Sequence, residues 1–282
     1  MKVAIAGCSG FIGSALKKRI LLSNNEISIY CLSRDEIYCL PESKSKHKFD
    51  VIVNLAGLIS IDESWKNPYS FFHDNYLITL NLLNLCKDTK TRFIQMSTYL
   101  YGNPKFLPTN ENHSIECFNP YASSKYLCEK VCESFNELFD IDVAILRLFN
   151  VYGIGQSKVF LIPYIVSELL TKNVVSIANT QARRDYLWLE DVVDALIAVI
   201  QKPVQGLNFY NLASGKGTSA GDIISVVSKY CSNPKIINQN QKIDIIDSYG
   251  DIEKFSEEYN WAPKISIEQG VKAMVDNFRS SQ

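Results

Sequence analysis

The sequence predicts an α/β fold in which a doubly wound parallel sheet fills the first half of the chain and a smaller α/β region follows. Three observations predict it. Short apolar runs alternate with helix-length segments over the first half, a glycine-rich turn directly follows the first apolar run, and the alternation becomes irregular after Gly155.

In order, the first half reads KVAIAG, a helical pattern at 11–23, EISIYCL, DVIVNLAG, a helical pattern at 68–88, and RFIQMS, the rhythm of repeated βαβ units. A helix at 121–139 follows, free of Gly and Pro, and IDVAILRLFNVYG reads as one further buried strand. Beyond it, helical stretches at 160–171, 191–201 and 221–230 mix with the strand-like pieces VVSIA, LNFYNLA and KIDIID. Closing helices at 251–259 and 267–278 are separated by a WAP turn in which Pro263 blocks continuation. The expected division is residues 1–155 for the sheet domain and 156–282 for the smaller region, with some strands and helices interleaved.

With 29 Lys+Arg against 30 Asp+Glu and a formal net charge of −1, no field of one sign dominates, which argues against nucleic acid or an anionic membrane as partner. Eight cysteines are scattered without CxxC pairs or Cys/His spacing that suits a metal, so no metal site is expected and a reduced compartment fits. The first residues build no signal-peptide core and no stretch has the length of a membrane span, so the expected location is the cytoplasm.

Gly7, Gly10 and Gly13 stand after KVAIA at the mouth of a helix. Glycine tightens such a turn and lets backbone approach a pyrophosphate, while the helix N–H groups and dipole attract phosphate. This context makes the first half a Rossmann domain. An acid at the end of the second strand would hold the ribose diol of NAD; EISIYCLSRDE instead places Cys31 or Leu32 there. Ser33 and Arg34, a hydroxyl and a cation, suit a 2′-phosphate, so NADP is preferred. Asp35 keeps NAD open.

In PYASSKYLCEK, Tyr121 and Lys125 lie four apart on one helix face, where an ammonium group can draw a phenol's pKa down. Upstream, the strand RFIQM ends in Ser97 and Thr98, a hydroxyl pair at the strand edge that faces a dinucleotide crevice. Glycine turn, hydroxyl and Tyr/Lys pair occur in the order one cleft requires.

These motifs resemble the extended short-chain dehydrogenase/reductases, in particular the nucleotide-sugar epimerase, dehydratase and reductase group. GCSGFIG resembles the cofactor turn, DVIVNLAG the third-strand motif, MSTYLYG the Ser/Thr segment, NPYASSK the active-site helix, and LRLFNVYG, FLIPYI, RRDYLWLEDVVDA and YNWAP the substrate-side and C-terminal segments. The resemblance implies cofactor contacts from Gly7, Ser9, Gly10, Phe11, Ile12 and Gly13, from Leu55, Ala56 and Gly57, and from Asn75. It implies hydride transfer at a sugar carbon, usually C4, with Tyr121 handling the proton, Lys125 also holding the nicotinamide ribose, and Thr98 or Ser97 bonding the substrate oxygen. Asn150, Phe160 and Arg184 match substrate-binding positions, Arg184 at the diphosphate.

Two departures bear on the substrate. Phe160 stands where some sugar epimerases carry asparagine, and IIDSYGD has no arginine where many members place a second diphosphate contact. Tyr99 stands where 4,6-dehydratases carry an Asp-Glu dyad, which argues against dehydration. The reading is therefore a 4-ketoreductase acting on a nucleotide-linked 4-keto-6-deoxysugar, with an NAD-dependent 4-epimerase as rival and a non-catalytic dinucleotide sensor as third. A homodimer through the Tyr/Lys helix and the preceding long helix is expected by resemblance. His47, His73 and His113 read as surface or loop residues, and Cys128 and Cys132 as packing groups.

Overall fold

A computed structural model describes residues 1–23, 26–40, 48–238 and 246–281. The strands are β1 (Lys2–Ala6), β2 (Ser28–Leu32), β3 (Val51–Asn54), β4 (Arg92–Thr98), β5 (Val143–Leu148), β6 (Asn150–Tyr152), β7 (Val174–Ile177), β8 (Arg183–Trp188), β9 (Leu207–Leu212), β10 (Gly217–Ser219) and β11 (Lys235–Asn238). The helices are α1 (Phe11–Leu22), α2 (Arg34–Cys39), α3 (Ile61–Lys66), α4 (Pro68–Cys86), α5 (Pro120–Phe139), α6 (Leu161–Lys172), α7 (Leu189–Gln201), α8 (Ala220–Ser228), α9 (Glu253–Tyr259) and α10 (Ile267–Ser280). None of the described helices is long and apolar enough to cross a membrane.

A six-stranded sheet runs in the order β2-β1-β3-β4-β5-β9, and every pairing from β2 through β5 is parallel. Val3, Ala4, Ile5 and Ala6 are all buried, as a central parallel strand covered on both faces requires. The chain leaves β1 toward β2 and returns past it to β3, so the strand order reverses at β1; the crevice beyond the carboxyl ends of the strands at such a point is where ligands bind in these sheets.

The two long helices start by the same local device. Asn67 and Asn119 cap α4 and α5 by accepting from Ser70 N and Ala122 N, and Pro68 and Pro120 occupy the first helical position, where a missing N–H costs nothing. Tyr121 is thereby fixed in the first turn of α5, and Asp140 ends that helix in the left-handed conformation. Cys128 and Cys132, both fully buried, lie on the inner face of α5; Cys132 packs in the hydrophobic core, and Cys128 Sγ donates to Asn75 O at 3.2 Å.

One compact unit comprises residues 1–102, 114–148 and 193–211, and a second comprises 103–113, 149–192 and 212–282. The second carries two small sheets, β10-β8-β6 and β11-β7, over a core drawn from α6, α8 and α10. The single strand expected over IDVAILRLFNVYG is in fact two: at Phe149 the backbone N–H bonds Leu212 O, and β5 and β6 join different sheets. LNFYNLA, expected in the smaller region, forms β9 at the edge of the large sheet. RRDYLW, read only as a motif, is β8. The expected KIDIID strand lies largely outside the described residues, as does His47. His73 contacts the neighbouring Asp74 on an exposed face of α4, and His113 Nε2 accepts from Lys105 N in a loop.

Candidate active site

The glycine turn leaves no room for side chains at two positions. Gly7 has φ +87°, and a Cβ there would lie 2.8 Å from Ala56 N and from Leu55 C; a Cβ on Gly13 would lie 2.1 Å from Gly7 O. The turn is closed by Gly10 N donating to Gly7 O at 3.0 Å, and β3 brings Leu55 and Ala56 against it, with Leu55 N donating to Ala6 O. Helix α1 then begins with no side-chain cap and no acidic residue in its first turn, leaving its initial N–H groups for an anion. These features fit a dinucleotide pyrophosphate at Gly7, Ser9, Gly10, Phe11, Ile12 and Gly13.

At the end of β2 the structure decides between two residues. Leu32 is buried in the core, whereas Cys31 is half-buried and is joined to Cys8 of the glycine turn by a disulfide. The cysteine spacing gives no sign of this pair: residues 23 apart in sequence are brought together by the parallel β1–β2 register, Ile5 opposite Cys31. Ser33 also differs from expectation. It caps α2 in a capping box, its hydroxyl and N–H both donating to Glu36 Oε2 at 2.7 and 2.8 Å, while Tyr30 OH donates to Glu36 Oε1 at 2.5 Å. The Ser33 hydroxyl is thus committed to a carboxylate, whereas Arg34 beside it is exposed.

The carboxyl end of β4 separates the two adjacent hydroxyls. Ser97 Oγ donates to the fully buried Glu129 at 2.6 Å and bonds Tyr101 OH at 2.8 Å, so it faces the interior. Thr98 is hydrogen-bonded to the Tyr121 side chain. Burial pushes the Tyr121 phenol up to about 12, with the Thr98 bond opposing; the sequence expectation of a lowered phenol pKa is not met, because desolvation dominates. Lys125, one turn on and only 6% exposed, is moved down by burial, against the upward pull of Cys128, Glu129 and Cys132. Asn75 is buried and ties the loop after β3 to this helix: Oδ1 accepts from Leu58 N at 2.7 Å, and Nδ2 donates to Ser124 Oγ at 2.9 Å and to Leu58 O at 3.2 Å. Gly57 backs directly onto it.

The sequence reading misses the support beneath these groups. Glu129 accepts from Arg147 Nε at 3.2 Å and Nη2 at 2.9 Å, and from Tyr101 OH at 2.9 Å, in addition to Ser97. Two signals point to it: Glu129 continues the Tyr121–Lys125 face by one more turn, and Arg147 interrupts an otherwise apolar strand, where a charge needs a partner.

In the second unit, Asn150 Nδ2 donates to Asp185 O at 2.8 Å, tying β6 to β8. Arg184 Nη1 donates to Arg183 O at 3.0 Å and also to Ile246 O. Phe160 is exposed at the start of α6. Asp185, which the sequence reading passes over, is fully buried and accepts from Ser214 N, Gly215 N and Gly250 N at 2.6, 3.0 and 3.3 Å.

Comparison with known proteins agrees with this architecture. A UDP-glucose 4-epimerase of Cyamopsis tetragonoloba is 29% identical, covering 80% of this chain and 71% of its own. A UDP-glucuronate 4-epimerase of Thermodesulfobacterium geofontis is 27% identical over 82% and 72%. Among solved structures, RMD from Pseudomonas aeruginosa complexed with NADPH superposes with a TM-score of 0.91 at 22% identity, covering 100% and 99% of the two chains. The UDP-glucose 4-epimerase of Thermotoga maritima with UDP-glucose does so at 0.87 and 26%, with the same coverage. The NAD dependent epimerase/dehydratase family matches residues 3–213, and the chain belongs to that family.

Proposed function

We propose that this protein catalyses oxidoreduction at C4 of a nucleotide-diphosphate sugar, in the direction of reducing a 4-keto-6-deoxysugar. The observation that carries the reading is Tyr121, hydrogen-bonded to Thr98 and held as the neutral phenol by burial. Because burial raises the phenol's pKa to about 12, the neutral form prevails at neutral pH and the group is poised to donate a proton. Bound dinucleotide supplies the hydride to C4. Tyr121 gives its proton to the O4 that becomes a hydroxyl, Thr98 holds that oxygen in line, and the buried Lys125 ammonium stabilises the phenolate left behind. Arg184, Asn150 and Phe160, all in the second unit, are assigned to the nucleotide diphosphate and sugar.

For the cofactor, Arg34 and the missing acid at Cys31 support NADP. A second reading, an NAD-dependent 4-epimerase, is favoured by two observations: the two curated relatives named above carry 4-epimerase names, and the Ser33 hydroxyl after β2 is taken up by the Glu36 carboxylate. The deciding experiment mixes purified protein with NADPH or NADH and a panel of nucleotide-linked 4-keto-6-deoxysugars, following absorbance of the reduced nicotinamide. Oxidation of NADPH is expected. No oxidation, with NAD released on denaturation and UDP-glucose converted to UDP-galactose, establishes the epimerase instead. We further assign the protein to the cytoplasm and to a homodimer through α4 and α5, whose exposed Phe72, Leu127 and Leu138 offer apolar area; light scattering of the eluted protein tests the latter.

A further inference from the structure

The Cys8–Cys31 pair occupies a place with consequences for cofactor binding. Cys8 belongs to the turn that approaches the pyrophosphate, and Cys31 stands at the end of β2, where an acid ordinarily reads the ribose. Their Cα atoms are 5.8 Å apart, inside the range that a disulfide spans without backbone movement. Leu32, the neighbouring candidate for the reader position, points into the core with Ala4, Ala6 and Ile37, so Cys31 alone presents a side chain to the turn. Both cysteines are half-buried and accessible to small reagents, in contrast to the fully buried Cys86, Cys128 and Cys132.

We propose that Cys8 and Cys31 form a reversible thiol–disulfide site that gates dinucleotide binding, the reduced pair admitting the adenosine ribose and the disulfide obstructing it. A ribose lodged between the glycine turn and the end of β2 must fit where the two sulfurs now meet. A disulfide there offers no hydrogen-bond donor and fixes the turn to the strand, whereas two thiols rotate independently and each carries a weak donor. In reducing surroundings such a bond is transient, the behaviour of redox-sensing pairs.

The chemistry balances with a low-molecular-weight disulfide as oxidant. One cysteine thiolate attacks a sulfur of that disulfide and expels the first thiolate; the second cysteine thiolate attacks the resulting mixed disulfide and expels the other. The protein loses two electrons, the reagent gains them, and the two protein thiol protons end on the released thiols. A dithiol reverses both steps.

The inference rests on dinucleotide binding and is independent of the sugar. The full chain is treated either with glutathione disulfide or with dithiothreitol followed by desalting, the cross-link is mapped by mass spectrometry of non-reduced peptides, and the Kd for NADPH and NADH is measured by fluorescence titration, with circular dichroism as a check of the fold. The expected result is a Cys8–Cys31 peptide in the oxidised sample and binding at least tenfold tighter after reduction. Cys31→Ser abolishes the dependence on oxidant, while Cys39→Ser, which removes an exposed thiol elsewhere, keeps it. Equal Kd values in the two states, or no Cys8–Cys31 peptide after oxidation, overturn the gate and leave the dinucleotide reading intact. Absence of binding in both states overturns the two together.

Discussion

Glu129 in the first unit and Asp185 in the second are both carboxylates with no exposed surface, and they are satisfied differently. Glu129 in the first unit is met by side chains, the Arg147 guanidinium and the hydroxyls of Ser97 and Tyr101. Asp185 in the second is met by backbone N–H groups of Ser214, Gly215 and Gly250, and burial still pushes its carboxyl up against those bonds. A carboxylate held by side chains sets the position of the residues that carry them, here the strand end that bears Thr98 and the helix face that bears Lys125. One held by main-chain amides sets loop paths. The comparison teaches that equal burial can be satisfied by side chains, which lock neighbouring elements together, or by main-chain amides, which fix loops, and that the cost of removing a partner should differ accordingly.

The largest effect is expected at Tyr121. Tyr121→Phe removes the proton donor without changing shape, so kcat should fall by about 10² to 10⁴ while the thermal midpoint stays put; turnover at the wild-type rate would remove Tyr121 from the mechanism. The same phenol sets the pH profile. Because its pKa is raised to about 12 from the ordinary 10, the protonated form persists through neutral and mildly alkaline pH. Reductive kcat should therefore stay level from about pH 7 to 10 and decline only above that, whereas a profile rising with pH would identify the phenolate as the working form and favour sugar oxidation.

Arg147→Ala comes next. It leaves the fully buried Glu129 without its guanidinium partner and should cost about 3 to 5 kcal/mol by denaturant titration. An unchanged midpoint would mean that the hydroxyls alone satisfy the acid, which would erase the distinction from Asp185. Asp185→Asn is milder, since the amide oxygen can still accept from one or two of the three N–H groups while its NH₂ meets another donor. About 1 to 3 kcal/mol of stability should be lost. A drop in kcat at full stability would place Asp185 with the chemistry and contradict its architectural role.

How much of this is legible in the sequence depends on whether the signal is local. Continuous apolar runs such as VAIA mark the central strands, and Asn119–Pro120 before an unbroken helical pattern marks α5, so the dinucleotide turn and the Tyr/Lys face can be read directly. The change of sheet at Phe149 cannot, because LRLFNVYG carries no Gly or Pro at the break; the cue is a bond to Leu212 far along the chain. Glu129 and Arg147 sit on different elements, and no periodicity links them. The Cys8–Cys31 pair likewise exists only once β2 lies beside β1 in register. Ser33 is the instructive case: Ser-Arg-Asp-Glu has the spacing of a capping box, a local signal that competes with phosphate binding and takes the hydroxyl.

The smallest predicted effect tests the comparison where it is narrowest, between two consecutive hydroxyls. Ser97 bonds inward to Glu129 and Tyr101, and Thr98 bonds to Tyr121. Ser97→Ala removes one hydrogen bond to a charge that keeps Arg147, so about 1 to 2 kcal/mol of stability should go, with kcat changed less than about threefold. Thr98→Val, nearly the same in shape, should reverse the pattern, sparing the melting midpoint and lowering kcat. If both variants lost turnover alike, the inward bond of Ser97 would be shaping the reactive hydroxyl rather than anchoring the strand, and the buried carboxylate beneath it would count as part of the catalytic apparatus.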